Sequence, residues 1–77
     1  MKDLVLYIVK ALVDDPGQAD VTETAAGASS LAVEIRVAAD DRGKIIGRDG
    51  RIIKAIRALA AASAEKSGTR VSVEIVE

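Results

Sequence analysis

The chain contains neither cysteine nor histidine. Without cysteine there is no disulfide framework and no thiolate metal site. Without histidine it lacks the commonest general base and the commonest metal ligand. No paired-carboxylate motif stands out in their place, so the sequence argues against an enzyme or a metalloprotein, and no cofactor is expected. Tyr7 is the single aromatic residue in 77, which leaves a core to be built from Val, Ile, Leu and Ala. Long apolar runs are also missing. Leu4 to Val9 is interrupted by Lys10, is far shorter than a membrane span, and is followed by no small-residue cleavage site. A cytoplasmic protein without a membrane partner is expected, of a length that fits one small domain over residues 1–77.

Charge is nearly balanced, at a net −1, but it is unevenly placed. Between Arg42 and Arg57 stand six cations (Arg42, Lys44, Arg48, Arg51, Lys54, Arg57) against Asp49 alone, a local +5. The remaining five cations face eleven anions, a local −6. A basic patch on an acidic body is the electrostatic footprint of a protein that binds a polyanion at one place.

In chain order, Asp3 offers an N-cap for a helix running to about Val13. Asp14-Asp15-Pro16-Gly17 stops it. Leu4, Ile8, Ala11 and Leu12 form one stripe on that helix, and Leu6, Val9 and Val13 extend the apolar surface beyond it. Asp20 to Ala26 has β-branched residues but poor alternation, and Gly27 with Ser29-Ser30 reads as a turn. Leu31 to Val37 is the clearest strand, with Leu31, Val33, Ile35 and Val37 alternating against Ala32, Glu34 and Arg36. Asp40-Asp41 offers an N-cap for a short helix to Ile46. After Gly50 a helix runs to about Glu65, with Ile52, Ile53, Ile56, Leu59 and Ala60 on one face and Arg51, Lys54 and Arg57 on another. Ser67-Gly68-Thr69 ends it, and Val71, Val73 and Ile75 alternate as a last strand. The order is α-β-β-α-α-β.

The centre of the pattern is Ile45-Ile46, the break Gly47-Arg48-Asp49-Gly50, and then Ile53 and Ile56 at helical spacing. Two glycines three apart make a tight turn between helices and let backbone approach a ligand closely. Gly50 opens the second helix, so free N–H groups and the positive end of a helix dipole point at the turn, which is a recipe for holding phosphate. Arg48, Arg51 and Lys54 place cations beside it.

These residues resemble the signature of the KH domain: a hydrophobic pair, Gly-x-x-Gly, then spaced apolar residues. Asp41 and Gly43 ahead of the pair and Arg57 behind it extend the match. The α-β-β-α-α-β order resembles the type II KH arrangement across the whole chain. By length the chain is similar to the small stand-alone bacterial KH proteins of the KhpA type. That resemblance implies an α+β fold, a single type II KH domain with helices packed on one face of a three-stranded mixed sheet. It also implies single-stranded RNA as ligand, its backbone clamped by the loop at 47–50. The expected contacts are Arg48 to phosphate, Lys44, Arg51 and Lys54 at the rim, and Ile45, Ile46 and Ile53 under the bases. Asp49 is expected to cap the following helix or turn toward Arg51.

Two function classes follow, an RNA chaperone or post-transcriptional regulator and a protein-interaction adaptor in which RNA binding is secondary. A DNA-reading helix-turn-helix fits poorly, since an Ile-rich helix has few base-reading side chains. The resemblance further implies pairing with a second copy or with a larger multi-domain KH protein. The surfaces open to such pairing are Leu6, Val9 and Val13 on the first helix, and the small-residue row Ala55, Ala58 and Ala62 on the long one.

Overall fold

The computed structural model describes residues 1–76. The elements follow as α1 (Lys2–Leu12), β1 (Asp20–Gly27), β2 (Ser30–Arg36), α2 (Arg42–Ile46), α3 (Arg51–Glu65) and β3 (Arg70–Ile75), with single 3-10 turns at Pro16–Gln18, Ala39–Asp41 and Arg48–Gly50. β1 and β2 form an antiparallel hairpin, with Val21 opposite Ile35 and Glu23 opposite Val33. β3 lies parallel to β2 on its other side, with Val33 opposite Val73 and Ile35 opposite Ile75. A parallel neighbour cannot be reached by a hairpin, so the chain crosses over through α2 and α3. That crossover, together with α1, covers one face of the three-stranded mixed sheet. Among the described residues no layer covers the other face, which carries Thr22, Thr24, Glu34 and Glu74.

The core is small and aliphatic. Val5 and Val9 of α1, Val21, Val33 and Ile35 of the hairpin, Ile45 of α2 and Val73 of β3 are almost fully enclosed. Ile53, Ile56, Ala60 and Ala64 of α3 complete it, and the two alanines let the helix lie close to the sheet. The weak alternation of β1 has a cause, since Val21 is its only buried residue and it is an edge strand. α3 ends as the sequence suggests: Thr69 N–H donates to Ala64 O and Gly68 N–H to Glu65 O, with Gly68 at φ 66°. This is a Schellman termination.

The first helix departs from expectation twice. Asp3 lies inside its first turn, Met1 stands at the N-cap, and no side chain caps it. Its core face is Val5 and Val9 with Val13 following, whereas Leu4 is 40% exposed and Ala11 is exposed. A helix apolar on several sides offers a helical wheel more than one inward face, and only packing on β1 and β2 decides between them. Val9 and Val13 are therefore core residues and not a free partner surface. On α3, Leu59 is 55% exposed, because the buried row drifts from Ile53 and Ile56 to Ala60 and Ala64 and leaves it aside.

Candidate nucleic-acid interface

The break between α2 and α3 holds three positive-φ residues within four positions. Gly47 has φ 74° and ψ 174°, a region essentially restricted to glycine. A Cβ there would lie 2.3 Å from Ile52 Cγ1 and 2.9 Å from the Ile52 amide nitrogen. Asp49 (φ 57°, ψ 23°) and Gly50 (φ 76°, ψ 15°) are both left-handed. Gly47 N–H donates to Gly43 O at 2.9 Å, closing α2, and Gly50 N–H donates to Gly47 O at 3.2 Å, closing the turn. Gly50 is the N-cap of α3, whose first turn therefore faces the loop.

Around this turn Arg48, Asp49, Arg51 and Lys54 are exposed, Gly47 and Gly50 half-buried, and Ile46 is 41% exposed. Among the described residues no carboxylate lies within ion-pair distance of Arg48, Arg51 or Lys54. The structure thus brings together three cations, one exposed isoleucine and the glycine turn. A surface concavity of about 470 Å³ lies at the far end of α3, lined by Ala61, Glu65, Gly68, Thr69, Arg70 and Val71. It includes no residue of the loop.

Several expected site residues are placed otherwise. Ile45 is fully buried and Ile53 is 7% exposed, so both support the loop from the core and only Ile46 of the three presents surface. Lys44 does not stand free at the rim: its ammonium is 2.9 Å from Asp14 Oδ2 and 3.6 Å from Asp41 Oδ1. The hydrogen bond and charge of Asp14 raise its pKa above the usual value, with burial opposing and Asp41 adding a further rise. Asp49 does not cap α3, which has no side-chain cap hydrogen bond. With Asp49 and Gly50 both left-handed, the N-cap position falls to Gly50 and Asp49 stands one residue outside the helix. Arg57 serves the fold, its Nε donating to Val73 O at 3.0 Å while its guanidinium stands 3.8 Å from Glu74.

Asp41 also departs from expectation. It occupies the N-cap position of α2 but in a helical conformation (φ −94°, ψ −9°), and its carboxylate bonds none of that helix's amides. It is 2% exposed and accepts hydrogen bonds from Asp14 N–H at 3.2 Å and Asp15 N–H at 3.1 Å. Burial works against its charge, yet those two donors and Lys44 outweigh burial and hold its pKa below the usual value. Nothing in the linear spacing announced this, since the partners lie 26 and 27 residues away in a segment legible only as a helix stop.

Residues 2–75 match the profile of the KhpA/KhpB KH domain. Full-length curated relatives agree. The chain is 45% identical over 99% of its length to the RNA-binding protein KhpA of Treponema pallidum, covering 94% of that protein. It is 47% identical over 99% of its length to the protein of the same name from Clostridium acetobutylicum, covering all of it. For the one from Caldanaerobacter subterraneus the figures are 49%, 99% and all of it. No solved structure gives a significant match. Among the described residues no helix is long and apolar enough to cross a membrane.

Proposed function

The chain belongs to the KhpA/KhpB KH-domain family, and from that premise we propose that it binds single-stranded RNA through the loop at 47–50, as an RNA chaperone or post-transcriptional regulator. The observation that carries this reading is the set of three exposed cations (Arg48, Arg51, Lys54), without an ion-pair partner among the described residues, around a turn whose backbone demands glycine at position 47. Relatives it is similar to are named for RNA binding.

In this reading Gly47 and Gly50 let a phosphate approach the backbone, and Arg48 contacts it bidentately. Arg51 and Lys54, one turn apart on α3, attract the neighbouring phosphates. Ile46 supplies apolar contact to a base. The single aromatic, Tyr7, is on α1 and outside this loop, so stacking worth about 1–3 kcal/mol per base is missing from the clamp. Asp49, exposed inside the loop, repels phosphate. One copy therefore binds weakly and with modest sequence preference, and two linked clamps gain by avidity. The domain is one KH unit, and the partner is a second copy or a larger multi-domain KH protein.

A titration against mixed pools of single-stranded RNA, single-stranded DNA and duplex tests the reading. Preference for single strands with RNA favoured is expected; equal binding to duplex would overturn it. Arg48→Asp sets two carboxylates side by side in the loop. It should abolish RNA binding while changing stability by only about 0.5 kcal/mol, as befits an exposed position. Undiminished affinity in that variant would remove the loop from the site.

A further inference from the structure

A carboxylate shielded from solvent is costly unless its oxygens are engaged. At 2% exposure Asp41 meets that condition through Asp14 N–H, Asp15 N–H and the Lys44 ammonium, which also reaches Asp14 Oδ2. Had its role been to cap α2, its bonds would go to that helix's amides, and they do not. They go instead to the segment that leaves α1. The helix that follows Asp41 is five residues long, too short to hold its own position without tertiary anchors. Its anchors include Asp41 at the start, the buried Ile45 and the Lys44–Asp14 ion pair in the middle, and Gly47 packed against Ile52 at the end. Seven residues from Asp41 to Gly47 thus form a lever with one end in the Asp14–Asp15 backbone and the other in the loop.

We propose that Asp41 is a positioning residue for RNA binding: by fixing the start of α2 to the backbone of Asp14 and Asp15, it sets where Arg48 and the first turn of α3 stand, and couples the loop to the end of α1. Asp41 touches no ligand itself. The inference rests on the RNA-clamp reading above, but its structural half does not depend on RNA.

Asp41→Asn keeps the shape and turns one acceptor oxygen into a donor facing an N–H. Amide NMR spectra without RNA should show the Gly47 to Gly50 signals displaced together with those of Asp14 and Asp15. At a temperature where circular dichroism shows the variant folded, affinity for labelled single-stranded RNA should fall about three- to tenfold. The salt dependence should keep its slope, because no phosphate contact has been removed. Displaced Asp14 and Asp15 signals with wild-type loop signals and wild-type affinity would overturn the proposal, as would a changed salt slope, which would mean direct electrostatics. Arg48→Asp run alongside separates the two readings. If it binds RNA normally the clamp fails, while the RNA-free displacement of the loop amides still decides the role of Asp41. Should Asp41→Asn not fold, amide exchange in the wild-type protein decides. Protection of Asp14, Asp15 and Gly47 within about tenfold of one another supports a common opening. Much faster exchange at Asp14 and Asp15 than at Gly47 overturns it.

Discussion

A methyl group at position 47 has nowhere to go, because it would sit 2.3 Å from Ile52 Cγ1 and nearly as close to the Ile52 backbone. The backbone angles there are ones that only glycine adopts readily. At Gly50 the situation differs: an added Cβ would meet Lys54 Cε at 3.7 Å and Ile53 Cγ2 at 3.9 Å, ordinary contacts. Only the left-handed φ selects glycine at that position. The two glycines of the motif are thus alike in sequence and unlike in physics. Gly47→Ala should cost about 3 kcal/mol or more, strain and overpacking together. Gly50→Asn, whose side chain tolerates the left-handed region, should cost about 1 kcal/mol or less. Urea denaturation of both variants checks the ordering, and equal costs would mean that the Ile52 contact relaxes freely.

Between elements, the legible part of the fold is the part written in local periodicity. The alternation of Leu31, Val33 and Ile35, the turn at Gly47 and Gly50, and the length of α3 all follow from neighbours in sequence. What was hidden depends on distant partners: which face of α1 is buried, where the Asp41 carboxylate points, and whether Lys44 is free. The Asp41–Lys44–Asp14 cluster also makes a prediction about pH. The folded pKa of Asp41 lies below the usual 3.8, so its contribution is complete above that value and is lost as pH falls through the folded pKa. Lys44 is raised above 10.5, so its contribution is complete below that value and is lost as pH rises through the folded pKa. Neutral pH lies inside both limits. Asp41→Asn should therefore be less stable than wild type at neutrality, yet lose less further stability between about pH 5 and pH 2. Parallel acid curves for the two proteins would show that another carboxylate governs acid unfolding.

For the whole molecule the question is how, in the proposed reading, a clamp without aromatic stacking, on a chain of net charge −1, would bind RNA usefully. Electrostatic attraction is local: with about three phosphates contacted, log affinity against log salt should slope near −2, from roughly 0.7 per phosphate on a single strand. Lys54→Ala should flatten the slope and weaken all sequences alike, and a salt-independent affinity would place binding on another surface. In the proposed reading pairing is the second contribution. Val9 and Val13 are enclosed in the core, so Leu6, Val9 and Val13 do not form a free surface, although Leu4 and Tyr7 of α1 stay exposed; the other expected surface is on α3. There Ala55, Ala58 and Ala62 are all exposed, with Leu59 55% exposed beside them. Small side chains at i, i+3 and i+7 let a second helix approach closely, and an exposed leucine gives the contact an apolar anchor. The expected partner surface is the same row on another copy or on a related KH domain. Ala58→Arg should then sediment as a folded monomer where wild type dimerises, and should weaken binding to long RNAs more than to tetranucleotides, since only avidity is lost. A wild-type protein that stays monomeric at every accessible concentration would refute self-association. If Leu6→Glu dissociates the dimer and Ala58→Arg does not, the contact runs through α1 instead.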